Sequence, residues 1–173
     1  MRFFDLINFD KSQLKHSASF YGFSSIYSTE DVCLISGKNR AEDDPRLKIF
    51  MGDTNSILKN LRRYDVFYST SYEASLELFA KAKEQEKPFM VCLSDMLLAK
   101  NPSLSMYRVE RFARVARHYD IELVGVSFAK EEHLIRSPSE AGSLLGFCGL
   151  TSQQAQYSYS LLGDMIEDKL KNE

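Results

Sequence analysis

Short apolar runs alternate along this chain with segments whose apolar residues recur at helical spacing. The first run covers residues 3–7, and residues 11–21 follow with Leu14, Ala18 and Tyr21 three or four positions apart. Residues 24–27 and 32–35 read as two short strands, and a charged loop opened by Gly37 spans residues 37–45. A strand over 47–51 precedes a helix over 55–63, entered through Asp53 or Thr54. Residues 66–68 are β-rich, and 72–83 form a strong helix with Ala74, Leu76, Leu78 and Phe79 among its apolar members. Residues 89–93 read as a buried strand, and 121–126 as the last strand. Between them Asn101-Pro102 pairs a capping residue with proline at the first helical position, opening a helix that runs to about Tyr119.

Beyond residue 126 the pattern is helical. Ser137-Pro138-Ser139-Glu140 predicts a capping box, in which each end of the motif satisfies an orphan backbone N–H. Thr151-Ser152-Gln153-Gln154 repeats that logic after Gly149, a C-terminal cap of the preceding helix. Strands alternating with helices predict an α/β fold with a largely parallel sheet. Right-handed crossovers leave an open doubly wound sheet or a closed barrel. No Gly-rich phosphate fingerprint is present, which favours the barrel. At 173 residues the chain falls short of the roughly 200 to 400 of a full eight-unit barrel. The expectation is therefore a compact TIM-like barrel, which need not be complete, in a single domain over residues 1–173.

Composition supports one core: 44% of residues are hydrophobic and 12% aromatic. The net charge is -2, and no polybasic arm is present. No apolar run approaches the ~20 residues needed to span a bilayer, and the first ten residues lack a signal-peptide core. Three cysteines cannot all pair within the chain, and Cys33 and Cys92 sit in apolar runs. Reduced core thiols in a cytoplasmic protein are expected.

Sets of residues for catalysis are scarce. The three histidines, His16, His118 and His133, are far apart in sequence, and no CxxC pair or Gly-x-Ser-x-Gly elbow exists. Ser69-Thr70-Ser71 reads as a strand end and helix cap, and Glu42-Asp43-Asp44 as a solvated turn rather than a cation site. Charge placement says more. Arg46, Lys48, Lys59, Arg62 and Arg63 stand against one acid, Asp53, and Arg108, Arg111, Arg114 and Arg117 recur every third residue along one helix. Lys130 and Arg136 follow the last strand, where α/β folds place ligand-facing loops. Such rows can neutralise phosphates or simply face solvent.

One stretch carries a resemblance. Val124-Gly125-Val126-Ser127-Phe128-Ala129-Lys130, Arg136-Ser137-Pro138-Ser139-Glu140, Leu144-Leu145-Gly146-Phe147-Cys148-Gly149-Leu150 and Gln154-Ala155 occur in that order. Together they resemble the C-terminal signature of archaeal ribonuclease P protein component 3, related to the thirty-kilodalton subunit of the eukaryotic enzyme. Glu86-Lys87-Pro88 before a strand, Asn101-Pro102 before a basic helix and the Phe4-Asp5-Leu6 start agree with it. The resemblance covers residues 64 to 166 best.

It implies a barrel of the polymerase-and-histidinol-phosphatase type and a role as a non-catalytic protein subunit. The holoenzyme removes the 5′ leader of precursor tRNA; its RNA subunit carries catalysis with Mg²⁺, so no cofactor is expected in this chain. The implied partners are the ribonuclease P RNA, a small ferredoxin-like protein and further protein subunits, and precursor tRNA through the complex. Metal-dependent relatives open with Asp-Leu-His-x-His, whereas here Asp5-Leu6 is followed by Ile7-Asn8-Phe9, with both histidine positions apolar. RNA contact is carried over to Arg136 of the Arg-x-Pro motif, whose structural alternative is pairing with Glu140, and to Lys87. Lys130 and Arg111 join them by position. The chain departs from the pattern at Ser69-Thr70-Ser71, where a basic residue is usual, at Phe128 and at Glu140. The competing readings are a small barrel-type metal-dependent phosphoesterase and a protein-binding scaffold whose basic helix faces solvent.

Overall fold

A computed structural model of the chain describes residues 1–37 and 43–171. Lys38, Arg40 and Glu42 of the charged loop lie outside the described residues. The strands are β1 (Phe4–Ile7), β2 (Ser25–Ser28), β3 (Cys33–Ser36), β4 (Lys48–Gly52), β5 (Val66–Ser69), β6 (Phe89–Cys92) and β7 (Leu123–Val126). The helices are α1 (Thr54–Asn60), α2 (Leu76–Glu84), α3 (Leu93–Leu97), α4 (Pro102–His118), α5 (Pro138–Phe147) and α6 (Ser152–Lys171). Every strand pair is parallel: β1 with β2 in one sheet, and β3-β4-β5-β6-β7 in sequence order in a second. Every residue of β1, β5, β6 and β7 is buried, as strands covered on both faces require.

Just past the ends of β1 and β7, the two sheets are stitched together. Phe128 N–H donates to Leu6 O at 2.9 Å and Asn8 N–H to Ala129 O at 2.7 Å. This gives the strand succession β2-β1-β7-β6-β5-β4-β3, compatible with a TIM-like barrel. Continuous closure is not seen among the described residues, because β2 and β3 do not pair. Only residues 29–32 join them, too few for the crossover of a dozen or more that parallel neighbours need. The ring is open at this point.

Caps fix the element ends much as the sequence predicts. Asp53 accepts from Ser56 N–H ahead of α1, and Asn101 from Leu104 N–H with Pro102 inside α4. Both halves of the Ser137–Glu140 capping box are formed. Thr151 and Gln154 likewise bond each other's backbone N–H. Three segments differ from expectation. Residues 11–21 form two 3-10 turns, Lys11–Gln13 and Ala18–Tyr21, rather than a helix. The helix expected from residue 72 starts at Leu76 under the cap of Ser75, so Ser69-Thr70-Ser71 supplies a strand end but no cap. The last residue of the run at 89–93 belongs to α3, which springs directly from β6.

The core is aromatic between the sheet and its helices. Phe112 of α4 meets Phe79 of α2 edge-on at 4.9 Å and Phe89 of β6 at 5.3 Å. Such pairs prefer tilted and T-shaped contacts because ring edges are positive and faces negative. Cys33, Cys92 and Cys148 are buried and unpaired with one another. On the other side α6 crosses β1 and β7 so closely that Gly163 and Gly125 stand where any side chain would strike Phe4 or Tyr159. Among the described residues no helix is long and apolar enough to cross a membrane.

Candidate functional site

The carboxyl ends of β4 to β7, with Asn8 after β1, surround a cavity of about 380 Å³. Its lining includes Tyr68, Ser94, Asp95, Phe128 and Lys130. Asp95 is its chemical centre. The Tyr68 hydroxyl donates to this carboxylate from 2.8 Å to either oxygen, and the Tyr72 hydroxyl donates to Oδ2 at 2.8 Å. Tyr72 in turn accepts from Cys92 N–H at 2.9 Å, and its backbone lies at φ 48°. Burial raises the Asp95 pKa, against the two tyrosine hydrogen bonds and the nearby Lys130 charge. Burial also pushes the Tyr68 phenol far up. Both carboxylate oxygens being held by phenols, Asp95 orients its neighbours rather than offering a free base.

Asp5 locks the seam behind this cavity. It is fully buried; its Oδ1 accepts from Ser127 N–H at 2.6 Å and Leu6 N–H at 2.9 Å, and its Oδ2 from the Ser127 hydroxyl at 2.5 Å. Burial lifts its pKa to about 7, although all three hydrogen bonds favour the charged form. Among the described residues no three His, Cys, Asp or Glu side chains are placed to share a metal ion. Asp44 of the acidic triplet accepts from Arg46 Nε at 2.9 Å and Nη2 at 2.5 Å, which commits it to that guanidinium.

The chain matches no family model and no curated protein. Among solved structures, its fold is similar to a chain in the cryo-EM structure of an archaeal ribonuclease P with mature tRNA. The TM-score is 0.67, over 96% of this chain and 90% of that one, at 11% identity. The likeness is one of fold.

Within that fold the four cations singled out from sequence do not share one face. Lys130 is exposed at the mouth of the carboxyl-end cavity. Arg111, on α4, stacks over Tyr107 at 5.8 Å beside a groove of about 550 Å³ that also takes in Arg108, Leu104 and Glu73. Arg136 belongs to the turn before α5. Its Nη1 donates to His133 O at 3.0 Å and Ile135 O at 3.2 Å, carbonyls inside and just after the 3-10 turn Glu132–Leu134. The alternative Arg136–Glu140 ion pair is not formed; Glu140 Oε2 accepts from the Ser137 N–H at 3.0 Å and hydroxyl at 2.9 Å. Arg136 lowers the Glu140 pKa only through space, behind those hydrogen bonds. Lys87 sits at the opposite, amino end of β6, in a mixed-charge cavity of about 450 Å³ with Lys83, Glu86, Asp120 and Glu122. Sequence reasoning passed over Asp95, Tyr68 and Tyr72, whose isolated polar atoms carry no spacing signal, and left Asp5 without its partner 122 residues away.

Proposed function

We propose that this chain is a protein subunit of ribonuclease P that supports RNA-catalysed removal of the 5′ leader from precursor tRNA without itself catalysing the cleavage. The observation that carries this reading is fold likeness over nearly the whole of both chains, to a component of an archaeal ribonuclease P bound to mature tRNA. The ordered signature from Val124 to Ala155 supports the finer assignment to protein component 3. In this reading the Mg²⁺ ions belong to the RNA subunit, and a small ferredoxin-like protein is the direct protein partner. Lys130, Arg111 and Arg136 neutralise RNA phosphates around the carboxyl ends of the strands and the turn before α5. Lys87, at the other end of the sheet, serves a separate contact.

A titration of this chain against labelled ribonuclease P RNA over a range of salt tests the RNA contacts. Each neutralised phosphate adds about one to the slope of log affinity against log salt. Arg136→Ala is expected to lower that slope by about one and leave the thermal midpoint near that of the parent, because the hydrogen bonds of its guanidinium go to two backbone carbonyls, those of His133 and Ile135. A lowered midpoint with an unchanged slope would assign Arg136 a purely structural part.

A further inference from the structure

Phe20 is 67% exposed and is not part of the core or packed against it. Yet it is not loose. Its ring lies flat on the His16 imidazole, with centroids 4.1 Å apart and planes 18° from parallel, and meets Tyr21 edge-on at 5.1 Å. Glu132 fixes this trio from across the chain. Its Oε1 accepts from Lys15 N–H at 2.9 Å, His16 N–H at 3.1 Å and the Tyr21 hydroxyl at 2.6 Å, and lies 3.2 Å from His16 Nδ1. The Tyr21 hydroxyl, followed by the His16 and backbone hydrogen bonds, holds the Glu132 carboxyl down to about 2. These bonds tie a segment of 3-10 turns into a shelf whose outer surface is the exposed Phe20 ring.

The same turn that supplies Glu132 also supplies His133 O, which positions the Arg136 guanidinium. An aromatic face and a cation are therefore hung on one three-residue support, with the exposed Lys15 beside them. Stacking on an aromatic side chain, combined with cations along the backbone, is how proteins hold unpaired nucleotides.

We infer that the Phe20–His16 shelf is a stacking platform for one unpaired RNA base, with Arg136 taking a neighbouring phosphate. This deepens the RNA-binding reading and rests on it. The ligand class is single-stranded RNA, since bases within a duplex already stack on each other and present no free face.

The chain contains no tryptophan, so Phe20→Trp creates a single indole reporter at the platform. The probes are a short single-stranded oligoribonucleotide and the same sequence annealed to its complement. The single strand should quench the Phe20→Trp indole and the duplex should not. Phe20→Leu, which keeps bulk but removes the ring, should weaken single-strand binding about tenfold. Its salt slope and thermal midpoint should stay unchanged. Single-strand binding that is salt-dependent in the parent but identical in Phe20→Leu, with no quenching, would overturn the platform and leave RNA binding intact. No binding of either probe, or of ribonuclease P RNA, by the parent would overturn the RNA-binding reading itself. Quenching by a partner subunit in place of RNA would assign the shelf to a protein contact and likewise overturn the platform.

Discussion

Gly163→Ala is expected to destabilise the protein by about 3 kcal/mol, the upper end of what overpacking a core costs. A Cβ at this position would collide with three ring atoms of Phe4, Cγ, Cδ2 and Cε2. Phe4 cannot swing away: it is 1% exposed and stacks on Tyr27 at 5.9 Å. The helix cannot lift away either, because α6 makes the same close approach at Gly125, where a Cβ would meet Ser158 Oγ at 2.8 Å and Tyr159 Cε2 at 2.9 Å. The two glycines together let α6 lie directly on β1 and β7, the strands whose seam joins the two sheets. Chemical denaturation of the variant measures the cost. A loss below about 0.5 kcal/mol, the range of ordinary surface changes, would mean that helix and sheet are not seated this closely.

The second large effect is a dependence on pH carried by Asp5. In the unfolded chain its carboxyl titrates near 3.9, whereas burial in the fold raises it to about 7. The folded state therefore holds a proton between about pH 4 and pH 7 that the unfolded state has released. The group's contribution to stability is greatest below the unfolded value, falls as pH rises through this window and is level above it. The full loss is on the order of 4 kcal/mol, at 1.36 kcal/mol for each tenfold change in proton affinity. Asp5→Asn removes the titration while its amide oxygen still accepts from Ser127 and Leu6 N–H and its amide nitrogen donates to the Ser127 hydroxyl. Stability measured from pH 4.5 to 7.5 should fall in the parent relative to Asp5→Asn, and the variant should be at least as stable at pH 7.5. A parent-minus-variant difference that stays flat across the window would place the Asp5 proton elsewhere.

Local chemistry was the most legible part of the fold. Asn101-Pro102, Ser137 to Glu140 and Thr151 to Gln154 each name their own helix start, because a cap and its acceptor lie within three residues of one another. The seven strand positions were legible too, as apolar runs broken by turn residues. What escaped depends on distance. Tyr72 looks like the first residue of a helix, but its hydroxyl is committed to Asp95 and Cys92, 23 and 20 residues on, and α2 starts at Leu76 under the Ser75 cap. The periodic spacing of Leu14, Ala18 and Tyr21 reflects one side facing the core, while Glu132, more than a hundred residues away, sets the turns that achieve it.

The candidate site follows the same division. The Arg136 motif was readable as a helix entrance, with pairing to Glu140 as the structural alternative to RNA contact. In the fold the backbone N–H and hydroxyl of Ser137 bond Glu140 Oε2, and Arg136 bonds the carbonyls of His133 and Ile135. Lys87 and Lys130 each flank a strand in sequence, but one precedes β6 and the other follows β7. Parallel neighbours put those positions at opposite ends of the sheet. Sequence alone ranks such residues by motif; only topology assigns them to faces.

The most direct measurement is cleavage of precursor tRNA by ribonuclease P reconstituted from its RNA and protein subunits at limiting Mg²⁺, with and without this chain. Addition of the chain should accelerate release of the 5′ leader, while the chain alone releases none. Equal cleavage rates in its presence and absence would contradict the proposed role.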